Sequence, residues 1–133
     1  MSEMTIMNKL TIVIVDDNSD VNHLLAAVFS LKGFGTHKTF NADEYLQKLD
    51  ELKGMVDLVI MNGTIASDRT ALLIVKTKRA NPKIGVLAVA DDESVKTRVL
   101  DYGADDFITK PISIETIVDK VNKILLGKEK NNI

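Results

Sequence analysis

Short apolar runs alternate along this chain with longer stretches that have a helical period. The apolar runs are rich in β-branched residues, a composition typical of parallel strands that are buried on both faces. They predict strands at residues 10–15, 36–40, 56–61, 84–90 and 106–109. Each run precedes a helical stretch, and this alternation predicts a parallel sheet covered on both faces by right-handed crossovers.

Capping residues, glycines and prolines set the predicted helix boundaries. The caps are Asn18 or Ser19, Asn41 with Glu44 three residues on, Asp91 and Ser113, and the third helix starts near Asp68. The stops are Gly33, Asn81-Pro82, Gly103 and Gly127. Helical spacing predicts that the inward side chains include Val21, Leu24, Leu25, Val28 and Leu31 in the first helix, Ala71, Leu72, Ile74 and Val75 in the third, and Val95, Val99 and Leu100 in the fourth.

The length and composition describe one ordinary domain. The 133 residues are 45% hydrophobic and 27% charged, with a net charge of −2, so general affinity for nucleic acid is not expected. No run is as long and apolar as a membrane span, and we expect a cytoplasmic protein. The absence of cysteine excludes disulfides and thiol nucleophiles. We expect a flexible segment at residues 1–9, the domain at 10–127 and a polar tail at 128–133.

The natural fold class for this pattern is α/β, a flavodoxin-like (βα)5 three-layer sandwich with sheet order 2-1-3-4-5. The order changes direction between the first and third strands, and ligands of open α/β sheets bind at such a point. Asp16 and Asp17 follow the first strand, Asn62 follows the third, and Lys110 follows the fifth. We therefore expect these four residues to meet in one crevice.

These residues resemble the receiver domain of two-component response regulators, and the resemblance extends from Leu10 to Leu126. Its most specific parts are the acid pair Asp16-Asp17 and the run at residues 103–112 that contains Lys110. The resemblance implies that the acid pair holds Mg²⁺, that an aspartate ending the third strand accepts a phosphoryl group, and that the lysine contacts it. A hydroxyl residue ending the fourth strand and an aromatic residue in the fifth would transmit the change.

Several positions depart from the receiver pattern. Asn62 stands at the phosphoacceptor position and Ala90 at the hydroxyl position, while Phe107 is the aromatic switch residue without a hydroxyl. Ala66 and Thr70 replace the proline and the glycine that receivers carry near the third helix. Because these losses share one functional unit, we expect a naturally degenerate receiver, a pseudo-receiver.

The remaining chemistry is weak. An amide cannot act as the carboxylate nucleophile that phosphoryl transfer requires. Asp16, Asp17 and Lys110 carry about −1, against about −2 with an aspartate at position 62, so we expect no cofactor, or Mg²⁺ weakly bound by Asp16, Asp17 and Thr64. Lys110 is expected to neutralise one of the two acids and leave Asn62 as a fixed hydrogen-bonding centre.

We expect a non-enzymatic signalling module that binds a histidine kinase or a downstream effector. The expected contact and homodimer surface combines the fourth helix, fifth strand and fifth helix, with mixed charges from Lys96, Arg98, Asp101, Asp119 and Lys123. Two alternatives remain open. Deamidation of Asn62 before Gly63, or a neighbouring hydroxyl of Thr64 or Ser67, would restore a phosphoacceptor. A flavodoxin-like nucleotide binder is the other, although the first strand leads into two acids and not into a glycine-rich loop.

Other polar residues have simpler interpretations. Asp16-Asp17 could cap the first helix and Asn62-Gly63 could form a tight turn. His23 and His37 lie in different elements without partners at metal-ligand spacing and are interpreted as surface or packing residues. Lys76, Lys78 and Arg79 are interpreted as a solvated helix face.

Overall fold

The computed structural model describes residues 9–62 and 67–131, without the side chains of 67–68 and 128–131. The strands are β1 (Thr11–Val15), β2 (Gly35–Thr39), β3 (Leu58–Asn62), β4 (Gly85–Ala90) and β5 (Asp106–Thr109). The helices are α1 (Ser19–Leu31), α2 (Ala42–Glu51), α3 (Ser67–Ala80), α4 (Lys96–Asp101) and α5 (Ile114–Asn131), and a 3-10 turn at Glu93–Val95 precedes α4. All strand pairs are parallel in the order β2-β1-β3-β4-β5, which confirms the predicted flavodoxin-like fold.

The register aligns the carboxyl ends of the strands. Val15 at the end of β1 pairs with Thr39 of β2 and with Met61 of β3. Asn62 is itself the last residue of β3 and pairs with Val89. The strand therefore ends one residue later than the end predicted at residue 61. The residues that follow these ends therefore lie along one edge of the sheet.

Two apolar clusters cover the two faces of the sheet. Successive strand residues point to opposite faces, so Val13 and Val15 belong to one cluster and Ile12 and Ile14 to the other. The first cluster packs under α2, α3 and α4, and the second packs under α1 and α5. Because β1, β3 and β4 are buried on both faces, their sequences are almost continuously apolar.

The predicted caps are largely observed. Asn18, one of the two predicted cap residues of α1, accepts a hydrogen bond from the Val21 amide at 3.1 Å. The side chain of Asn41 accepts one from the Glu44 amide at 2.8 Å, and a Glu44 carboxylate oxygen accepts the Phe40 amide at 2.9 Å. The cap expected at Asp91 is wrong, because the neighbouring Asp92 caps the turn before α4.

The buried face of α1 differs from the prediction. Its buried residues are Asn22, Leu25, Ala26 and Phe29, whereas Leu24 is 52% exposed and Leu31 is 89% exposed. Apolar character alone misplaced this face, since the polar Asn22 takes a core position where its amide is bonded. Leu72 in α3 and Leu100 in α4 were also predicted inward but are exposed. In each helix the adjacent residue, Leu73 or Val99, takes the buried position.

The last helix runs past its predicted end at Gly127 and continues to Asn131. No heavy atom within 4 Å would meet a side chain at Gly127, and its backbone keeps a helical conformation without a left-handed turn. A single glycine costs a helix only about 1 kcal/mol relative to alanine, which neighbouring good helix formers offset. In the described ranges no helix combines the length and the apolar character that crossing a bilayer requires.

Candidate functional site

Asp16 and Asn62 are in direct contact at the carboxyl edge of the sheet. Asp16 directly follows β1 and Asn62 ends β3, and these two strands are hydrogen-bonded neighbours. The Asn62 Nδ2 atom lies 2.9 Å from Asp16 Oδ1, and the two residues are 2% and 3% exposed. The contact pairs an amide donor with a carboxylate acceptor inside the protein, where such a bond is stronger than in water.

The same carboxylate oxygen also accepts a backbone hydrogen bond. The Asn18 amide donates to Asp16 Oδ1 at 2.9 Å, and Asn18 in turn caps α1. Asp16 therefore links the β1 end, the β3 end and the start of α1. Two donors on one oxygen hold this side chain in a single orientation.

Asn22, which the sequence pattern did not indicate, holds the backbone next to the site through two hydrogen bonds. Its Nδ2 atom donates to the carbonyl of Asp16 at 3.0 Å and to the carbonyl of Thr39 at 2.8 Å. Thr39 Oγ1 donates to the Ile14 carbonyl at 2.7 Å. The ends of β1 and β2 are thus fixed by side chains. The only sequence signal is a polar residue four positions after the Asn18 cap, on the inward side of an otherwise apolar helix.

Asn22 also carries an unsatisfied atom. Its Oδ1 is buried and has no hydrogen-bond partner in the described part of the chain. An unpaired buried acceptor costs about 1–3 kcal/mol, which offsets part of the stabilisation from the two bonds of Nδ2. The two bonds of Nδ2 fix the backbone at Asp16 and Thr39, and the unpaired Oδ1 lowers the net stabilisation that Asn22 contributes.

Asp17 and Lys110 take no part in the hydrogen bond between Asp16 and Asn62. Asp17 is exposed. The ammonium of Lys110 lies 3.6 Å from a carboxylate oxygen of Asp91, which follows β4. Among the described residues, Lys110 forms its ion pair with Asp91, so the neutralisation of Asp16 or Asp17 by Lys110 stays a prediction. Asp91, at the end of the neighbouring strand, provides a carboxylate for the lysine, while Asp16 Oδ1 accepts hydrogen bonds from Asn62 and Asn18.

Ala90 and Phe107, at the two switch positions, are both buried. Ala90 ends β4 and is 4% exposed, and Phe107 in β5 is 6% exposed. Both belong to the apolar cluster under α2, α3 and α4. The Ala90 carbonyl accepts the Lys110 amide at 2.8 Å, so only backbone atoms of Ala90 make polar contacts here. This arrangement offers no hydroxyl from position 90 to a bound phosphoryl group.

Several predicted site residues cannot be placed. Thr64, Gly63 and Ala66 lie outside the described residues, as does the side chain of Ser67. Thr70, at the expected glycine position, is buried at 1% exposure and has a polar partner. The roles considered for Thr64 and Ser67 as metal ligand or phosphoacceptor therefore stay predictions.

The described residues form no recognisable Mg²⁺ site. Mg²⁺ requires oxygen ligands in near-octahedral geometry. Asn62 turns its nitrogen towards Asp16, because an amide oxygen in that position would face the negative carboxylate oxygen. The amide hydrogens thus point at Asp16 Oδ1, where a bound cation would meet a donor in place of a further oxygen ligand. Among residues 9–62 and 67–131 no group of three or more His, Asp or Glu side chains could hold a metal ion.

The histidines lie away from the crevice contact. His23 Nδ1 is 3.0 Å from the ammonium of Lys38, and its ring lies 5.8 Å from that of Phe40. Burial and the charge of Lys48 lower the pKa of His37, and Glu51 opposes that shift. These contacts agree with the interpretation of both as packing or surface residues.

The chain is similar in sequence to known response regulators. The family described as the response regulator receiver domain matches residues 12–122. A Thermotoga maritima protein named a cyclic di-GMP phosphodiesterase is 27% identical over 90% of this chain and 32% of its own length. A CpxR transcriptional regulatory protein homolog of Haemophilus influenzae is 29% identical over 90% of this chain and 51% of its own. The chain thus spans a third to a half of these relatives.

Solved structures agree on the fold. A CheY-like response regulator receiver domain protein of Methanospirillum hungatei superposes with a TM-score of 0.82 at 22% identity. The alignment covers 93% of this chain and 99% of that one. At this identity the likeness concerns the backbone fold and says nothing of the residues in the crevice.

Proposed function

This chain belongs to the response regulator receiver domain family of two-component systems, and we propose that it acts through protein-protein contacts without aspartyl phosphorylation. In this role it is a pseudo-receiver in the cytoplasm that recognises a histidine kinase or a downstream effector. It performs no catalysis of its own. The phosphodiesterase activity in the name of one relative belongs to that larger protein, of which this chain covers 32%.

The observation that carries the proposal is the buried hydrogen bond between Asn62 and Asp16 at 2.9 Å. Phosphoryl transfer to a side chain needs an ionised oxygen nucleophile and a cation that offsets the charge of the transition state. At position 62 the nucleophile is replaced by an amide. The amide donates to the acid that would otherwise help to bind the cation, so one substitution affects both requirements.

The transmission path supports the same conclusion. A receiver that responds to phosphorylation must couple the crevice to its output surface through a group that bonds the phosphoryl oxygen. Ala90 has no such group, and Phe107 is packed into the apolar cluster at 6% exposure. Burial of an aromatic side chain of this size stabilises the domain by about 2 kcal/mol or more, which favours a single rotamer. We therefore expect the domain to keep one conformation and not to switch between two.

The proposed contact surface is the face formed by α4, β5 and α5. Lys96, Asp101, Asp119 and Lys123 are exposed there, and Tyr102 at the end of α4 is 48% exposed. An amphipathic aromatic residue among mixed charges is the composition of a modest, specific interface. A homodimer and a complex with a kinase or effector would both use this surface.

The apolar stripe on α1 offers a comparison surface. Leu24 and Leu31 lie two helical turns apart and are 52% and 89% exposed. Charge substitution at Tyr102 and Lys123 on the proposed face, and separately at Leu24 and Leu31, would show which surface a co-purified kinase or effector uses. The proposal expects loss of binding from the first pair only. Binding that survives the first pair and fails with the second would assign the contact to α1.

The absence of phosphorylation is tested by intact mass. The chain would be incubated with Mg²⁺ and acetyl phosphate, weighed, and mapped by peptides across residues 55–69, with Asn62→Asp as the positive control. We expect a phosphoryl adduct on the Asn62→Asp protein and none on the natural chain. An adduct on the natural chain would overturn the proposal, and its position would separate a neighbouring hydroxyl from a deamidated Asn62.

Deamidation has little structural support. It requires the Asn62 side chain to turn towards the following backbone nitrogen, yet Asn62 is 2% exposed and bonded to Asp16. A one-dalton gain at Asn62 on prolonged storage would revive this alternative. The nucleotide-binding alternative has no supporting contact in the described residues.

A further inference from the structure

A groove lies at the amino edge of the sheet, at the opposite end from Asp16 and Asn62. Its volume is about 830 Å³. Three chain segments form its walls: the start of β1, the connection between α2 and β3, and the connection between α3 and β4. None of the residues discussed above for phosphorylation lines it.

Part of the groove lining is apolar and consists of Leu52, Met55 and Val56. Val56 is 4% exposed and belongs to the core, and Leu52 packs partly against the same cluster. Met55 lies between them in sequence and is 74% exposed. A methionine side chain is flexible and polarisable, and it is favoured at surfaces that adapt to a partner. An apolar segment could therefore be received here without rearrangement of the core.

Three lysines and two acids line the groove, which leaves a small positive excess. Lys9, Lys53 and Lys83 come from the three different walls, and none has a carboxylate partner within the described part of the chain. The two acids in the lining are already engaged. Glu51 pairs with Lys48 at 2.9 Å, and the Asp57 carboxylate accepts the Thr11 amide at 2.8 Å. An acidic ligand would meet three available ammonium groups.

The groove is built by the fold and does not need a ligand to form. Lys53 and Gly54 have φ values of 54° and 70°, and this left-handed turn brings Lys53 to the rim. The Gly54 amide donates to the Leu49 carbonyl at 3.1 Å, and its carbonyl accepts Asn81 Nδ2 at 3.2 Å. A side-chain bond thus ties two of the walls together. A left-handed lysine costs about 1 kcal/mol or more, a cost that the surrounding bonds must offset.

We propose that this amino-edge groove binds an acidic, partly apolar peptide segment of a partner protein. The three ammonium groups complement carboxylates, and the apolar part of the lining accepts a side chain such as leucine. Contacts spread over three walls fit an extended segment better than a single compact anion, because one anion could reach only part of the rim. This contact is independent of position 62 and of the face formed by α4, β5 and α5.

The test uses the full chain and a fluorescein-labelled peptide of alternating glutamate and leucine. Binding is followed by fluorescence anisotropy at two salt concentrations, with a lysine-leucine peptide as the charge-reversed probe. We expect saturable binding of the acidic probe that weakens as salt rises. The double variant Lys53→Glu/Lys83→Glu should lose at least tenfold in affinity, and Met55→Ser should weaken binding without changing its salt dependence.

The matched control is Lys32→Glu/Lys76→Glu, which changes the net charge equally at exposed positions outside the groove. Its affinity should stay within a factor of two of the natural chain, and circular dichroism should confirm that each variant is folded. Equal weakening by the control pair, or no saturable binding of the acidic probe, would overturn the proposal. Two further outcomes would overturn it. Concentration-dependent sedimentation that Lys53→Glu/Lys83→Glu abolishes would assign the groove to a second copy of the chain. Displacement of the probe by equimolar citrate would assign the groove to a small anion.

Discussion

The side-chain amide of Asn62 donates a hydrogen bond of 2.9 Å to the carboxylate of Asp16, and both residues are almost completely buried. The bond joins the ends of two neighbouring parallel strands. It replaces what would otherwise be two adjacent carboxylates, which repel each other unless a cation or a proton lies between them. The Asn62 amide therefore takes the place of a cation or proton beside the Asp16 carboxylate.

Asn62→Asp should make the stability of the domain depend on Mg²⁺. Without the ion, the new carboxylate faces Asp16, and we expect a loss of about 1–3 kcal/mol in the free energy of unfolding at neutral pH. With Mg²⁺ in excess, binding to the folded state should restore much of this loss. Urea unfolding with and without Mg²⁺ measures both effects. Asn122→Asp, at an exposed position of α5, is the matched control and should show neither. Equal Mg²⁺ responses from the two variants would contradict our account of the crevice.

Asn22→Ala should destabilise the domain by about 2–4 kcal/mol. The substitution removes two hydrogen bonds and leaves the carbonyls of Asp16 and Thr39 without those donors in the interior. Chemical denaturation gives the loss, and Asn122→Ala at an exposed site should stay within about 0.5 kcal/mol of the natural chain. If the two variants were equally stable, the bridging role of Asn22 would be wrong.

Tyr45 should make stability fall at alkaline pH. Its hydroxyl bonds Thr77 Oγ1 at 2.5 Å between α2 and α3, and burial raises the pKa of Tyr45 from its ordinary value of 10.0 to about 12, although the Thr77 bond opposes this. A raised pKa means that the folded state holds the proton more tightly. The contribution is complete below pH 10.0 and is lost as the pH rises to about 12.

The matched pair for this prediction is Tyr45→Phe and Tyr102→Phe, since Tyr102 is 48% exposed. Between pH 10 and 12, the natural chain and Tyr102→Phe should lose stability faster than Tyr45→Phe, by on the order of 1 kcal/mol per pH unit. Denaturation midpoints across this pH range measure the difference. Parallel curves for all three proteins would refute the buried-tyrosine explanation.

Two glycine substitutions should act in opposite directions. A Cβ on Gly85 in β4 would lie 2.6 Å from Ile124 Cγ2 of α5, so Gly85→Ala should cost about 1–3 kcal/mol by forcing α5 outward. A Cβ on Gly127 meets no heavy atom within 4 Å, so Gly127→Ala should stabilise α5 by up to about 1 kcal/mol. Thermal unfolding of both variants is the measurement. Addition of Ile124→Ala should recover part of the Gly85→Ala loss; no recovery would mean that the strain lies elsewhere.

The fold was largely predictable because its signals are local and repeated. Apolar runs such as Ile12 to Val15 report burial on both faces, and alternation with capped helices leaves few topologies. Helix faces were less predictable, as Leu24 and Leu31 illustrate. Helical spacing identifies an apolar side only when core positions are apolar, and α1 places Asn22 there because the strand-end carbonyls need its amide.

The sequence by itself determined the strand order and the chemical types at the strand ends, including an amide at position 62 and an alanine at position 90. Only the tertiary structure decided which of these side chains bond to one another. Lys110 lies beside Asp91, and Asp16 Oδ1 accepts hydrogen bonds from Asn62 and Asn18. Sequence position assigns a residue to an edge of the sheet, but partner choice depends on distances of a few ångströms between groups far apart in the chain.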